Sequence, residues 1–142
     1  VLLNLAKRVV SDGEGATKFI QIDVLKCKTE EDAKKIGFSI ANSKLVKTAI
    51  SGEDPNWGRI MMAVGKADVD LNINSINLII GNYKILEKGQ LSKNYSEQNL
   101  QQYMKSDLIN IVIEMNLGKK NFTCYTMDLT KKYIEINSDY RT

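Results

Sequence analysis

A layered α+β fold is predicted for this 142-residue chain by three features. Phe19 to Leu25 alternates, with Ile20, Ile22 and Val24 facing one way and Gln21 and Asp23 the other, the pattern of a half-buried strand. Ala33, Ile36, Gly37, Ile40 and Ala41 then recur at helical spacing. Two more apolar runs, Ile76 to Ile80 and Tyr83 to Leu86, flank Gly81-Asn82, a pair suited to a hairpin turn. Strands mixed with helices and joined by hairpins define the class.

The elements follow in order. Leu2, Leu5, Ala6, Val9 and Val10 have helical spacing, and Gly13 ends that segment before the first strand. Thr29 caps the next helix, and Glu30, Glu31 and Asp32 favour the positive end of its dipole. Asn42-Ser43 breaks the helical pattern, so Leu45 to Ile50 forms a second, shorter helix. The only proline and the only tryptophan follow, in Gly52-Glu53-Asp54-Pro55-Asn56-Trp57-Gly58-Arg59-Ile60. Asp54 is read as the cap and Pro55 as the first position of a helix running to about Val64. At Asp68 the character changes, which divides the chain into a 1–67 segment and a 68–142 subdomain. After the hairpin, Ser96 to Lys105 is a polar helix that buries Leu100, Tyr103 and Met104. Ile109 to Met115 and Phe122 to Met127 are strands, joined through Gly118-Lys119-Lys120-Asn121. Thr130 to Tyr140 reads as a closing helix.

Composition narrows the chemistry. A hydrophobic content of 43% fits one globular domain, or two subdomains sharing a core. No apolar run in the sequence is long enough to span a membrane as a helix. Net charge is +3 with acids and bases interleaved, and the Lys pairs are short, which argues against nucleic acid as a partner. The two cysteines, Cys27 and Cys124, fall in strands and are expected as reduced thiols in a cytoplasmic protein. Histidine is absent, which removes Ser-His and Cys-His catalysis by this chain alone and the commonest transition-metal ligand. No metal site is expected. A start at Val1 inside a helical pattern reads as a fragment or a processing product.

Three segments carry more than scaffold chemistry. Asp12-Gly13-Glu14-Gly15-Ala16-Thr17-Lys18 places a carboxylate between two glycines; the pattern serves either a plain helix-to-strand turn or a close approach of backbone to ligand. Ser43 to Ile60 contains Lys47 and Arg59, cations that either hold an anion or decorate the surface. The end of the chain, Ile136-Asn137-Ser138-Asp139-Tyr140-Arg141-Thr142, is dense in hydrogen-bonding and aromatic groups, as a docked tail requires.

Taken together, these segments resemble one family. DGEGATK, then S-x-LVKTA with G-x-DPNWGRI, then DLT-x-x-Y-x-x-IN-x-x-YRT, are similar in order and spacing to the C-terminal part of the β chain of the bifunctional ornithine acetyltransferase / N-acetylglutamate synthase family of arginine biosynthesis. The resemblance covers essentially the whole chain. It departs at Lys44, where the family usually has proline, and at Met127, where cysteine is common.

The resemblance implies a layered α/β sandwich of the self-processing ornithine acetyltransferase/aminopeptidase type, with mixed sheets and helices outside. It implies a precursor that cleaves itself before a threonine, which becomes the nucleophile of the β chain. That threonine takes acetyl from N-acetylornithine and passes it to glutamate through an acetyl-threonine intermediate. None of Thr17, Thr29, Thr48, Thr123, Thr126 or Thr130 lies in a self-cleavage motif, so no catalytic residue is expected in this chain, and the chain alone is expected to be inactive. The family pattern carries Glu14, Asn137 and Thr142 over as substrate-binding residues. Lys47, Asp54, Asn56, Trp57 and Arg59 are then scaffold near the site. No cofactor is implied, although some members also accept acetyl-CoA. The implied partner is the α chain of the same precursor, in an α2β2 heterotetramer. The rival expectations are a fragment of a related self-processing aminopeptidase or amidohydrolase, and a non-catalytic assembly module.

Overall fold

A computed structural model describes residues 18–128 of the chain. Its centre is one mixed six-stranded sheet flanked by helices. The strands are β1 (Phe19–Cys27), β2 (Asn77–Ile80), β3 (Tyr83–Glu87), β4 (Gln90–Leu91), β5 (Leu108–Glu114) and β6 (Lys120–Met127). They lie in the order β4-β3-β2-β5-β1-β6. β1 runs parallel to β5 and antiparallel to β6, and the other neighbours are antiparallel. The sheet is therefore not divided at residue 68: β1 is inserted between two strands from the later part of the chain.

Alternation builds the core. Ile20, Ile22 and Val24 of β1 are at most 1% exposed, and Ile109, Ile111 and Ile113 of β5 are fully buried beside them. The register sets Ile20 against Ile109 and Ile22 against Ile111, so both rows point to the same face. Helix α1 (Glu30–Ala41) lies against β1 and β6, and contributes Ala33, Ile36 and Ile40 to the same cluster. Helices α2 (Lys44–Ser51) and α3 (Trp57–Gly65) add Val46, Ile50, Ile60, Ala63 and Val64. Helix α4 (Glu97–Tyr103) adds Leu100. Each of the isoleucine, valine and leucine side chains contributes about 1.5–3 kcal/mol on burial, and each alanine less.

The helix ends follow the predicted chemistry. Thr29 accepts from the Asp32 N–H, and Ser43 accepts from the Val46 N–H after the break at Asn42. The third cap differs from the expectation. Helix α3 starts at Trp57, capped by Asn56, whose Oδ1 accepts from the Arg59 N–H at 3.3 Å. Asp54 instead belongs to the turn, where its N–H donates to the Ala49 carbonyl at 2.9 Å. Pro55 is buried in that turn, where it lines a small cavity together with Val46, Ile50 and Ile60, and does not open the helix. Packing of the ring on the core won over its local preference for the first helical turn.

The Gly81-Asn82 hairpin forms as expected, between β2 and β3. Gly81 has φ +62, and a Cβ there would meet the Tyr103 ring at 2.7 Å, so the turn and α4 both require glycine. The link between β5 and β6 is not a hairpin. Both strands pair with β1, and the connection crosses the end of β1, where the Leu117 and Gly118 N–H groups donate to the Lys26 carbonyl. Lys26 has φ +59, and the β1–β6 register shifts there. The short edge strand β4 and a single 3-10 turn at Ile73–Ser75 are additions that no periodicity announces. Among the described residues no helix is long and apolar enough to cross a membrane. The helix expected at Leu2 to Val10 and the one expected from Thr130 to Tyr140 lie outside the described residues.

Candidate functional site

β1 starts beside Lys18, and β6 ends beside Asp128. These two residues lie side by side although 110 positions separate them. The Lys18 N–H donates to Asp128 Oδ1 at 2.9 Å, and the Asp128 N–H donates to the Lys18 carbonyl at 3.2 Å. The pairing continues the β1–β6 register, in which Phe19 stands opposite Met127. Lys18 is 5% exposed and Asp128 3%.

A buried ammonium loses its hydration and needs polar partners in return. Lys18 Nζ finds two. It donates to Glu53 Oε2 at 3.1 Å and to the Ser106 carbonyl at 3.0 Å. Glu53 sits in the α2–α3 turn with φ +58, and its N–H donates to the Ile50 carbonyl. Its side chain is 43% exposed, so this ion pair is only half withdrawn from water. Ser106 stands in the turn before β5. The adjacent Phe19 N–H donates to the Asp107 carbonyl at 2.8 Å. Three stretches of chain therefore converge on Lys18.

Glu14, Asn137 and Thr142, the expected substrate-binding residues, all lie outside the described residues. Their points of attachment do not. Glu14 precedes Lys18 by four positions, while Asn137 and Thr142 follow Asp128 by nine and fourteen. Sequence reasoning includes Lys18 and Asp128 in the DGEGATK and DLT motifs but assigns neither of them a role. Each merely borders an alternating strand, and only a pairing across the whole fold connects them.

The proline stretch is a second polar centre. Arg59 Nη1 donates to the Leu45 carbonyl at 2.9 Å and to Thr48 Oγ1 at 3.5 Å, which ties α3 to α2. Asn56 Nδ2 also reaches Asp54 Oδ2 at 3.4 Å. Trp57 and Tyr95 both pack against the core. Burial raises the Tyr95 pKa, Glu97 and Asp54 add to the rise, and Trp57 opposes it. A cleft of about 210 Å³ between α2 and α3 is lined by Lys44, Arg59 and Lys66, together with Leu45 and Met62. None of the three cations has a carboxylate partner among the described residues. Lys47 does not line this cleft, so the structure does not join it to Arg59 there.

Elsewhere the polar groups are tied into the sheet. Asp23 accepts from Thr123 Oγ1 at 2.7 Å, Asn110 Nδ2 at 3.0 Å and Gln21 Nε2 at 3.2 Å, joining β1, β5 and β6. Cys27 and Cys124 are free and buried. Burial, with Asp32 acting on the first and Asp23 on the second, pushes each thiol up to about 11. Neither is poised as a nucleophile. Among the described residues no group of three or more Asp, Glu, Cys or His could hold a metal ion.

Comparison with known proteins covers the same ground independently. The sequence profile of the ArgJ family matches residues 1–142. The arginine biosynthesis bifunctional protein ArgJ of Ruegeria pomeroyi is 49% identical over 142 residues, all of this chain and 35% of the relative. That of Brucella melitensis is 44% identical over the same length, and the match covers 34% of it. The crystal structure of the ArgJ protein of Bacillus halodurans superposes with a TM-score of 0.88 at 36% identity, over 96% of this chain and 64% of that one. The chain spans about a third of the length of the curated relatives it matches.

Proposed function

The chain belongs to the ArgJ family, and from that membership we propose that it is the substrate-binding C-terminal part of an acetyltransferase of arginine biosynthesis. The whole enzyme moves acetyl from N-acetylornithine to glutamate. The observation that carries the reading is a match along all 142 residues at up to 49% identity, including the segments that bear Glu14, Asn137 and Thr142.

The chemistry assigned to the enzyme is covalent catalysis in two steps. A threonine outside these 142 residues attacks the acetyl carbonyl, releases ornithine and is deacetylated by the glutamate amine. Its own α-amine or a nearby group serves as base, which suits a chain without histidine. Oxyanion-hole donors from the α chain lower the barrier by about 3–4 kcal/mol. This chain supplies recognition. The Glu14 carboxylate pairs with the substrate ammonium, a charge-assisted contact stronger than a neutral one. The Asn137 amide donates to the substrate carboxylate and accepts from its amine. Thr142 contributes its hydroxyl. The α chain of the same precursor is the proposed partner, in an α2β2 heterotetramer in the cytoplasm.

The test is acetyl transfer from N-acetylornithine to glutamate by the full-length, self-cleaved protein, run beside the 142-residue chain alone. Transfer by the first and none by the second is the expected result. Acetyl release to water without a requirement for glutamate would overturn the transferase reading in favour of a hydrolase. Glu14→Ala in the full-length protein is expected to raise the KM of N-acetylornithine about tenfold, the worth of one charge-assisted hydrogen bond, with self-cleavage unchanged.

A further inference from the structure

We propose that the cleft between α2 and α3 is a binding site for a phosphate group, with Arg59 as its fixed donor and Lys44 and Lys66 as its flanking charges. The inference uses only described residues and does not rest on the acetyltransferase reading.

The charge around the cleft is one-sided. Helices α2 (KLVKTAIS) and α3 (WGRIMMAVG) contain no acidic residue. Lys44, Arg59 and Lys66 line about 210 Å³ of open space between them, and none forms an ion pair with a carboxylate among the described residues. A concavity lined by one sign of charge concentrates the field and attracts counter-ions.

Arg59 is the fixed part. It is half-buried, and its Nη1 donates to the Leu45 carbonyl at 2.9 Å and to Thr48 Oγ1 at 3.5 Å. These bonds hold the guanidinium against α2 and leave its Nε and Nη2 hydrogens without an acceptor among the described residues. A planar fork held in this way loses little freedom when it binds an anion. The acceptors around it are already used. The Leu45 carbonyl is taken by Arg59, and the Ala63 carbonyl by the Ser39 hydroxyl. Ser43 Oγ accepts from the Val46 N–H, which leaves its own hydrogen to donate. The cleft therefore offers donors and positive charge with few competing acceptors. A carboxylate, with two oxygens and one charge, is served by Arg59 alone. Two further cations and a hydroxyl match a phosphate group, which carries about −1.5 to −2 charge and three acceptor oxygens. Leu45 and Met62, 48% and 52% exposed, add an apolar border.

The experiment titrates inorganic phosphate into the full-length, self-cleaved protein at constant ionic strength, reading heat of binding, with the melting temperature of the phosphate-free protein as control. A saturable site is expected, and two variants place it. Lys44→Pro removes one charge at little cost to the fold, because Lys44 is the first residue of α2, follows an extended Ser43, and its N–H donates no bond among the described residues. Lys66→Met removes the second charge and keeps the aliphatic stem. Each is expected to weaken phosphate binding about threefold, the scale of one exposed charge pair, and the double variant about tenfold, with the melting temperature unchanged. If Lys44→Pro lowers the melting temperature, Lys44→Met takes its place. No saturation by about 10 mM phosphate would overturn the proposal, and so would an affinity that the double variant leaves unmoved. Phenyl phosphate separates the sources of the group. Tighter binding than inorganic phosphate assigns the site to an organic phosphoester resting on Leu45 and Met62; equal or weaker binding assigns it to free phosphate.

Discussion

β1 is held at its middle and at its start by opposite means. In the middle, Ile20, Ile22 and Val24 sit in an apolar layer under α1, where partners are numerous and interchangeable and the force is loss of water contact. At the start, Lys18 is held by single named atoms on Glu53, Ser106 and Asp128. The first region can absorb a volume-conserving change, whereas the second can absorb almost none, because each polar group has one geometry that satisfies it. The lesson is a division of labour within one strand. The apolar part contributes most of the stability, and the polar part fixes how the start of the strand aligns with Asp128 and with the turns bearing Glu53 and Ser106.

Four predictions break or sharpen this contrast. The largest effect is expected from Ile22→Ala, at a fully buried position, which should cost about 3–4 kcal/mol of stability. The shift in urea midpoint of the full-length protein measures it. Substrate KM should stay near wild type under conditions where the variant is folded. Lys18→Met keeps the buried aliphatic stem and removes the ammonium. It should cost only about 1–2 kcal/mol, because Glu53 can rehydrate. A stability loss equal to that of Ile22→Ala would erase the contrast.

Asn56→Ala should cost about 1 kcal/mol through the lost cap of α3. Asp54→Ala should cost less, since Asp54 uses its backbone N–H, and not a cap, in the turn. A double ranking by thermal melting in which Asp54→Ala proved the more harmful would restore aspartate as the cap. The last prediction is a pH dependence. The Cys27 and Cys124 thiols are raised from 9.0 to about 11 by burial, so the folded state keeps both protons after the unfolded chain has lost them. Stability should therefore fall as pH rises from about 9 to about 11, and be unaffected by these groups below that window. Substituting both cysteines by serine should flatten the slope in that range. Alkylation at pH 8 should be slow until the protein is unfolded.

Much of the fold is legible in local pattern. Period-2 alternation marks β1 and β5, Thr29 and Ser43 mark two helix starts, and Gly81-Asn82 marks the hairpin, because each of these depends on neighbours within a few positions. The failures have one cause. Pro55 reads locally as the first residue of a helix but is buried in a turn, where it lines a small cavity together with Val46, Ile50 and Ile60. Gly118-Lys119-Lys120-Asn121 reads only as the link that joins two strands, and its path over the end of β1 is not legible in it, since β1 occupies the place between β5 and β6. In both cases contacts outside the local pattern decided the outcome.

The candidate site divides along the same line. The motifs around Glu14, Asn137 and Thr142 are readable as residues in order, and they carry the family assignment that the comparisons support. Lys18 and Asp128 fall inside the DGEGATK and DLT motifs, but nothing local announces that they pair. The sequence by itself determined which faces are apolar, where most helices begin and which family the chain joins, because those depend on short-range spacing and on motif identity. The tertiary structure alone decided that β1 lies between β5 and β6, and that residues 18 and 128 meet. Strand order and the pairing of buried polar groups are properties of contacts across long loops, settled by what packs and what is hydrogen-bonded once the whole sheet has formed.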